Sequence, residues 1–68
     1  MVGLAETRRR LVDLLADGRV WSIGRLRCEL HEADTDEFFL ALEQLVAEGF
    51  IARYEGRPVA FRLARKEG

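Results

Sequence analysis

Cys28 and His31 have side chains that bind transition metals well, and they lie three positions apart. At that spacing both fall on one face of a helix, which is half of a zinc site. The chain has one cysteine and one histidine, so a metal would need distant carboxylates or another chain to complete its ligands. We therefore expect no metal site. Cys28 is predicted to be a small core thiol and His31 a surface residue.

The other polar residues form no pattern typical of catalysis. There is no nucleophile with a base and an orienting group, no glycine-rich phosphate loop, and no carboxylate pair placed for acid–base work. A chain of 68 residues is also too small to enclose a ligand cleft of ordinary size. The sequence thus predicts neither an enzyme nor a cofactor or a small-molecule substrate.

Charge and composition limit the kind of partner. The net charge is −1, from 11 basic and 12 acidic residues, whereas domains held to nucleic acid by bulk charge are usually strongly basic. Ten of the basic residues are arginine, which pairs with carboxylates or phosphates. The single cysteine excludes an internal disulfide and fits a reducing compartment. No signal-like or membrane-spanning pattern is found, so we expect a cytoplasmic protein with no membrane contact.

Hydrophobic spacing predicts a single α+β domain over residues 1–68, with its ordered part at about 4–63. The predicted elements are, in order, a helix at Leu4–Ala16, a short strand at Val20–Ser22, helices at Ile23–His31 and Thr35–Glu48, and a hairpin of Phe50–Tyr54 and Val59–Leu63. The third helix should bury a stripe made of Phe38, Ala41, Leu42 and Leu45.

Capping residues support these helix boundaries. Ser22 precedes the second helix, and its hydroxyl can accept a bond from a free backbone N–H there. Asp34 precedes the third helix, and Glu37 three residues later can return the bond in a reciprocal cap. Gly18 and Gly49 follow the first and third helices, where a left-handed residue ends a helix.

The register of the hairpin follows from which residues share a face. Residues directly opposite in an antiparallel pair lie on one face, so Ile51 joins Phe61 only if paired numbers have an even sum. A three-residue loop at Glu55–Arg57 satisfies this condition. It predicts Ile51 opposite Phe61 and Tyr54 opposite Pro58.

Helix, short strand, two helices and a hairpin is the order of the winged helix-turn-helix, and nearly the whole chain from 4 to 63 follows it. The segments "SIGRL" and "ALEQLVAEGFI" carry the resemblance. The second resembles the pattern that closes the third helix in MarR-like and ArsR-like bacterial regulators. That resemblance implies three helices, a short strand and a two-stranded C-terminal wing, with the third helix in the major groove of DNA and the wing on its backbone.

The outward residues of the third helix depart from that family. Aligned on its buried positions, the helix presents a surface that would otherwise read bases, formed here by Asp36, Phe39, Leu40, Glu43 and Gln44. Base reading uses arginine or lysine for guanine and asparagine or glutamine for adenine, and only Gln44 is of these types. The acids on this segment would also face the negative phosphates.

Two functions therefore compete. We expect a regulatory module of transcription or DNA transactions that acts through protein contacts, by self-association or partner docking, on the outward residues of the third helix. For Phe39, packing within the chain is an equally open hypothesis. For Leu40, contact with a partner is the favoured one. The alternative is a regulator that binds duplex DNA, with phosphates contacted by Arg8, Arg9, Arg10, Arg25, Arg27, Arg53, Arg57 and Arg62.

Overall fold

A computed structural model describes residues 3–64, which form three helices and one three-stranded antiparallel sheet. The elements are α1 Leu4–Leu15, β1 Trp21–Ser22, α2 Ile23–Glu29, α3 Thr35–Ala47, β2 Ile51–Tyr54 and β3 Ala60–Leu63. The strand order is β1-β3-β2, so the short strand predicted between the helices joins the hairpin in one sheet. This α+β arrangement is consistent with a winged-helix-like fold.

The predicted helix starts are confirmed by their caps. The Ser22 hydroxyl accepts from the backbone N–H of Arg25 at 3.2 Å. The Asp34 carboxylate accepts from the N–H groups of Asp36 and Glu37, at 3.0 and 3.4 Å. The prediction that Glu37 returns a bond is wrong: within residues 3–64 the Oε2 atom of Glu37 is buried with no hydrogen-bond partner. A single carboxylate, that of Asp34, therefore caps α3.

Helix ends agree with the prediction to within one residue, except in α2. Gly18 and Gly49 have φ of +79° and +80°, the left-handed conformation expected after a helix. The predictions for α1 and α3 each run one residue too far. The prediction for α2 runs two residues too far, because Leu30 is already outside the helical region with φ −112° and ψ 38°.

The core lies where the three helices meet the inner face of the sheet. The α3 stripe is confirmed, since all four of its predicted residues are buried. In α1 the buried line is Thr7, Leu11 and Leu15, at four-residue spacing, whereas Leu4 and Leu14 are only partly buried. The Thr7 hydroxyl donates to the Gly3 carbonyl at 3.0 Å, which satisfies it inside the core.

The predicted hairpin register is wrong by two residues, although its parity is correct. Ile51 pairs with Leu63 and Tyr54 pairs with Ala60, so the loop spans the five residues 55–59. The reason is that β3 is the central strand and also pairs with β1, placing Trp21 opposite Phe61. Local turn preferences alone predict a tight three-residue hairpin loop. The loop is longer because β3 is paired on both sides.

The two chain ends, predicted to lie outside the ordered part, fall mostly outside the described residues. Of those that are described, Gly3 and Ala64 are bonded into the fold. The Gly3 carbonyl accepts from the N–H of Thr7 at 3.0 Å, and the Ala64 N–H donates to the Phe50 carbonyl at 2.9 Å. Backbone pairing therefore continues one residue beyond α1 and β3.

Candidate protein-interaction surface

The outward side of α3 carries four of the five side chains predicted to meet a partner. Successive residues of a helix are about 100° apart, so with Phe38 pointing into the core the next two positions turn outward. Phe39 is 47% exposed and Leu40 is 43% exposed, and both are among the exposed large apolar residues of the fold. Asp36 and Glu43 are exposed beside them. This set forms an apolar centre with acidic neighbours.

Phe39 is partly packed within the chain and partly exposed, so its placement fits each of the two hypotheses for it in part. Its ring packs edge-to-face on Phe38, with ring centroids 5.4 Å apart and an interplanar angle of 77°. The rest of the ring lies at the surface. Phe39 therefore packs against the core on one side and presents the other side to solvent.

An open groove runs along one side of α3, toward the hairpin. Its volume is about 430 Å³. It is lined by Ile23, Phe39, Leu42, Glu43, Val46, Ala47, Arg53, Val59 and Phe61. We call it the α3–wing groove, where the wing is the hairpin of β2 and β3. Most of its lining is apolar, and Glu43 and Arg53 are its charged members, with the Arg53 guanidinium 2.7 Å from Glu55.

Gln44, the fifth predicted partner residue, points away from this groove and toward α1. It is partly buried, and its Oε1 accepts from the Arg8 guanidinium at 2.7 Å. Arg8 also donates to Glu48 Oε2 at 2.8 Å, so one guanidinium joins α1 to two residues near the end of α3. This arrangement leaves Gln44 as part of the α1–α3 contact.

The Arg8 guanidinium, chiefly through its hydrogen bond, holds the pKa of Glu48 below its ordinary value near 4.5. A carboxyl with a depressed folded-state pKa stabilises the fold above its unfolded pKa, and the contribution disappears as pH falls through the folded value. We expect Glu48→Gln to lower Tm by a few degrees at pH 7, and the difference from wild type to shrink as the pH falls below 4.5. Thermal melts across pH test this, with Glu29→Gln as the control. A difference that persists at low pH would contradict the ion-pair account.

Most of the arginines proposed to contact DNA have partners within the chain. Arg10 lies 3.2 Å from Glu6 and 3.6 Å from Glu32. Arg25 lies over the Trp21 ring, 4.9 Å from its centroid. These contacts, with those of Arg8, Arg27 and Arg53, hold five guanidinium groups against the protein surface.

The remaining three arginines of that group are exposed, and among residues 3–64 their guanidinium groups have no hydrogen-bond or ion-pair partner. Arg9 lies on α1, Arg57 in the loop between β2 and β3, and Arg62 on β3. Arg62 lies on the sheet face opposite to Phe61, because neighbouring residues of a strand point to opposite faces. These three are the arginines best placed to meet an external phosphate.

The expectation for Cys28 is wrong, since its side chain is exposed. Leu26 and Leu30 point inward, and Cys28 lies between them on the opposite side of α2. His31 Nδ1 lies 3.3 Å from the Cys28 carbonyl oxygen. Within the described part of the chain, no three cysteine, histidine or acidic side chains converge as a metal site would require.

Sequence reasoning missed the apolar residues that form the walls of the groove, above all Ile23, Val46 and Val59. A signal for Val46 was present, because it lies seven residues after Phe39 and so on the same side of α3. Val59 had no such signal. Its position depends on the pairing of β3, and on the bond from the Ile23 N–H to the Val59 carbonyl at 2.9 Å.

Among residues 3–64, none of the helices has both the length and the apolar character needed to cross a membrane. A scan against protein-family models and a search of curated proteins found no match for this chain.

Proposed function

We propose that this chain is a winged-helix-like regulatory module of transcription or DNA transactions that works by binding protein rather than by catalysis. It docks a partner on the outward side of α3 and so changes what that partner can bind. The observation that carries the proposal is the exposure of Phe39 and Leu40, two adjacent large apolar side chains, on a helix with no basic residue.

The energetics favour a protein surface over a phosphate backbone. Full burial of such an apolar side chain contributes about 1.5–3 kcal/mol, so covering two half-exposed ones contributes roughly half of that for each. An apolar centre with a polar rim is also the usual make-up of a protein interface. Against duplex DNA the same side would bring Asp36 and Glu43 toward a dense row of phosphates.

Duplex DNA remains the second candidate, supported by the exposed guanidinium groups of Arg9, Arg57 and Arg62. Fluorescence anisotropy of a mixed-sequence duplex at about 50 and 200 mM salt separates the two functions, since phosphate contacts weaken steeply over that range. We expect no binding at either salt concentration. Micromolar binding that collapses with salt, and that is lost in Arg57→Glu with Arg62→Glu, would replace our proposal.

The double change Phe39→Ser with Leu40→Asp tests the protein-binding surface. It removes both exposed apolar groups and places a charge at the centre, so we expect partner binding to fall at least tenfold. Affinity capture with quantitative mass spectrometry, comparing this variant with wild type, measures the loss. Val20→Ser is the matched control, because Val20 is 58% exposed and lies outside α3.

Circular dichroism must show that the double variant stays folded, which we expect because neither residue belongs to the buried stripe. Sedimentation of the wild-type chain then separates a homodimer from a foreign partner. Capture that is equal in the wild type and the folded double variant would exclude this side of α3 as the binding surface.

A further inference from the structure

We infer that the α3–wing groove binds an amphipathic helix of a partner protein, one that carries lysine or arginine beside its apolar face. This inference rests on the proposed function and adds to it the shape and charge of the bound element. The groove, rather than the whole outward side of α3, is the place where that element inserts.

The spacing of the groove wall fits a helix. Phe39, Glu43 and Val46 stand at i, i+4 and i+7, so they follow one side of α3 over roughly 10 Å. Val59 and Phe61 line the groove from the β3 side. Helices pack by placing side chains at i, i+3, i+4 and i+7 into such grooves. Two to three apolar anchors of a partner helix match this length.

The acidic residues on the groove side of α3 favour a basic partner, although Asp36 lies beyond the lining of the groove itself. Asp36 and Glu43 are seven residues apart, so both exposed carboxylates lie on one side of α3, two turns from each other. Arg53 brings no net charge, because it is paired with Glu55 at 2.7 Å. Cations placed two turns apart on a partner helix would meet both acids.

The same charges argue against a second copy of this chain as the occupant. In a two-fold dimer each copy presents the same surface to the other, so the acids Asp36 and Glu43 would meet a partner helix α3 that has no basic residue to pair with them. The basic helix α1 is also unsuited to the role, because its apolar side is already buried with Leu11 and Leu15 in the core.

Selection from a displayed library provides the test. The library contains 15-residue amphipathic helices with apolar residues at i, i+3, i+4, i+7 and i+11 and all residues at the flanking positions. It is selected against the immobilised full chain. We expect lysine and arginine to be enriched over aspartate and glutamate beside the apolar face. Failure to select any binder, or enrichment of acidic residues, would overturn the inference.

The best selected peptide is then measured by fluorescence anisotropy against groove variants. Phe39→Ser and Val59→Ser should each weaken binding about tenfold, because each removes an apolar anchor site. Glu43→Lys should weaken it at least about threefold, whereas Glu29→Lys, an equal charge change on α2, should have less effect. A proline in the middle of the peptide should abolish binding, since it breaks a helix.

Leu40→Ser separates failure of the inference from failure of the proposed function. Leu40 is exposed on α3 but does not line the groove, so Leu40→Ser should weaken binding of the peptide less than Val59→Ser does. If Leu40→Ser weakens binding and Val59→Ser does not, the groove is the wrong site, although α3 still binds protein. Unchanged binding of the proline-containing peptide would indicate an extended segment on the edge strand β2. If no peptide binds and duplex DNA does, both proposals fail.

Discussion

Replacing Phe38 with alanine is expected to unfold most of the chain at 37 °C. Phe38 is fully buried, and its ring contacts Phe39 at 5.4 Å and lies 5.3 Å from the Arg27 guanidinium carbon. A buried Phe→Ala change costs about 3–5 kcal/mol through lost burial and the cavity that remains. A single core in a domain of this length rarely supplies more than about 3–5 kcal/mol of stability. The free energy lost in Phe38→Ala is therefore comparable with the total free energy of unfolding of the domain.

Urea denaturation followed by circular dichroism measures this effect, with Phe39→Ala as the matched control. Both changes remove a phenyl group from α3, yet Phe39 is 47% exposed, so we expect its loss to cost only about 1–2 kcal/mol. Equal destabilisation by the two variants would show that Phe39 is a core residue and would remove the main support for the interaction surface.

Removing the Arg27 side chain is expected to cost about 2 kcal/mol, a large effect for a residue near the surface. Its guanidinium donates to the carbonyls of Leu30 and Ala33, at 3.0 and 2.8 Å, and to the Thr35 hydroxyl at 3.1 Å. These bonds connect two carbonyls beyond the end of α2, of which that of Leu30 also accepts from the Ala33 N–H, to the first residue of α3. Arg27→Ala leaves them without a donor from this side chain.

Arg27→Lys and Arg25→Ala make the test specific. Lysine retains the charge but cannot span three acceptors as the planar guanidinium does, so we expect it to recover less than half of the lost stability. Arg25 contacts the Trp21 ring at the surface, and its loss should cost about 0.5–1 kcal/mol. Equal unfolding midpoints for Arg27→Ala and wild type would show that the three bonds contribute nothing net.

Local chemistry was enough to predict the helices and the buried stripe of α3. Ser22 and Asp34 cap helices because of groups within three residues of each side chain. Gly18 and Gly49 end helices because they can adopt a positive φ. Phe38, with the rest of its stripe, was recognisable because a helix repeats every 3.6 residues. Each of these signals depends only on neighbours in the chain.

The roles of the arginines could not be predicted in the same way. Arg8 lies 36 residues from Gln44 and 40 residues from Glu48, so no local sequence pattern predicts that Arg8 joins α1 to α3. Arg27 looked like a phosphate-binding residue, and the structure shows its guanidinium bound to the segment between α2 and α3. An arginine side chain pairs with an acceptor that the fold places nearby, so its partner is known only once the tertiary structure is known.

The sequence by itself determined the α+β class, the helix boundaries within two residues and the outward position of Leu40, because each follows from short-range periodicity. The tertiary structure alone decided the register of β3 and how far the Phe39 side chain is exposed. It also decided the α3–wing groove, where Val59 comes to line the same cavity as Val46. These features depend on pairing and packing between segments distant in sequence, and a one- or two-residue change in pairing moves every such contact.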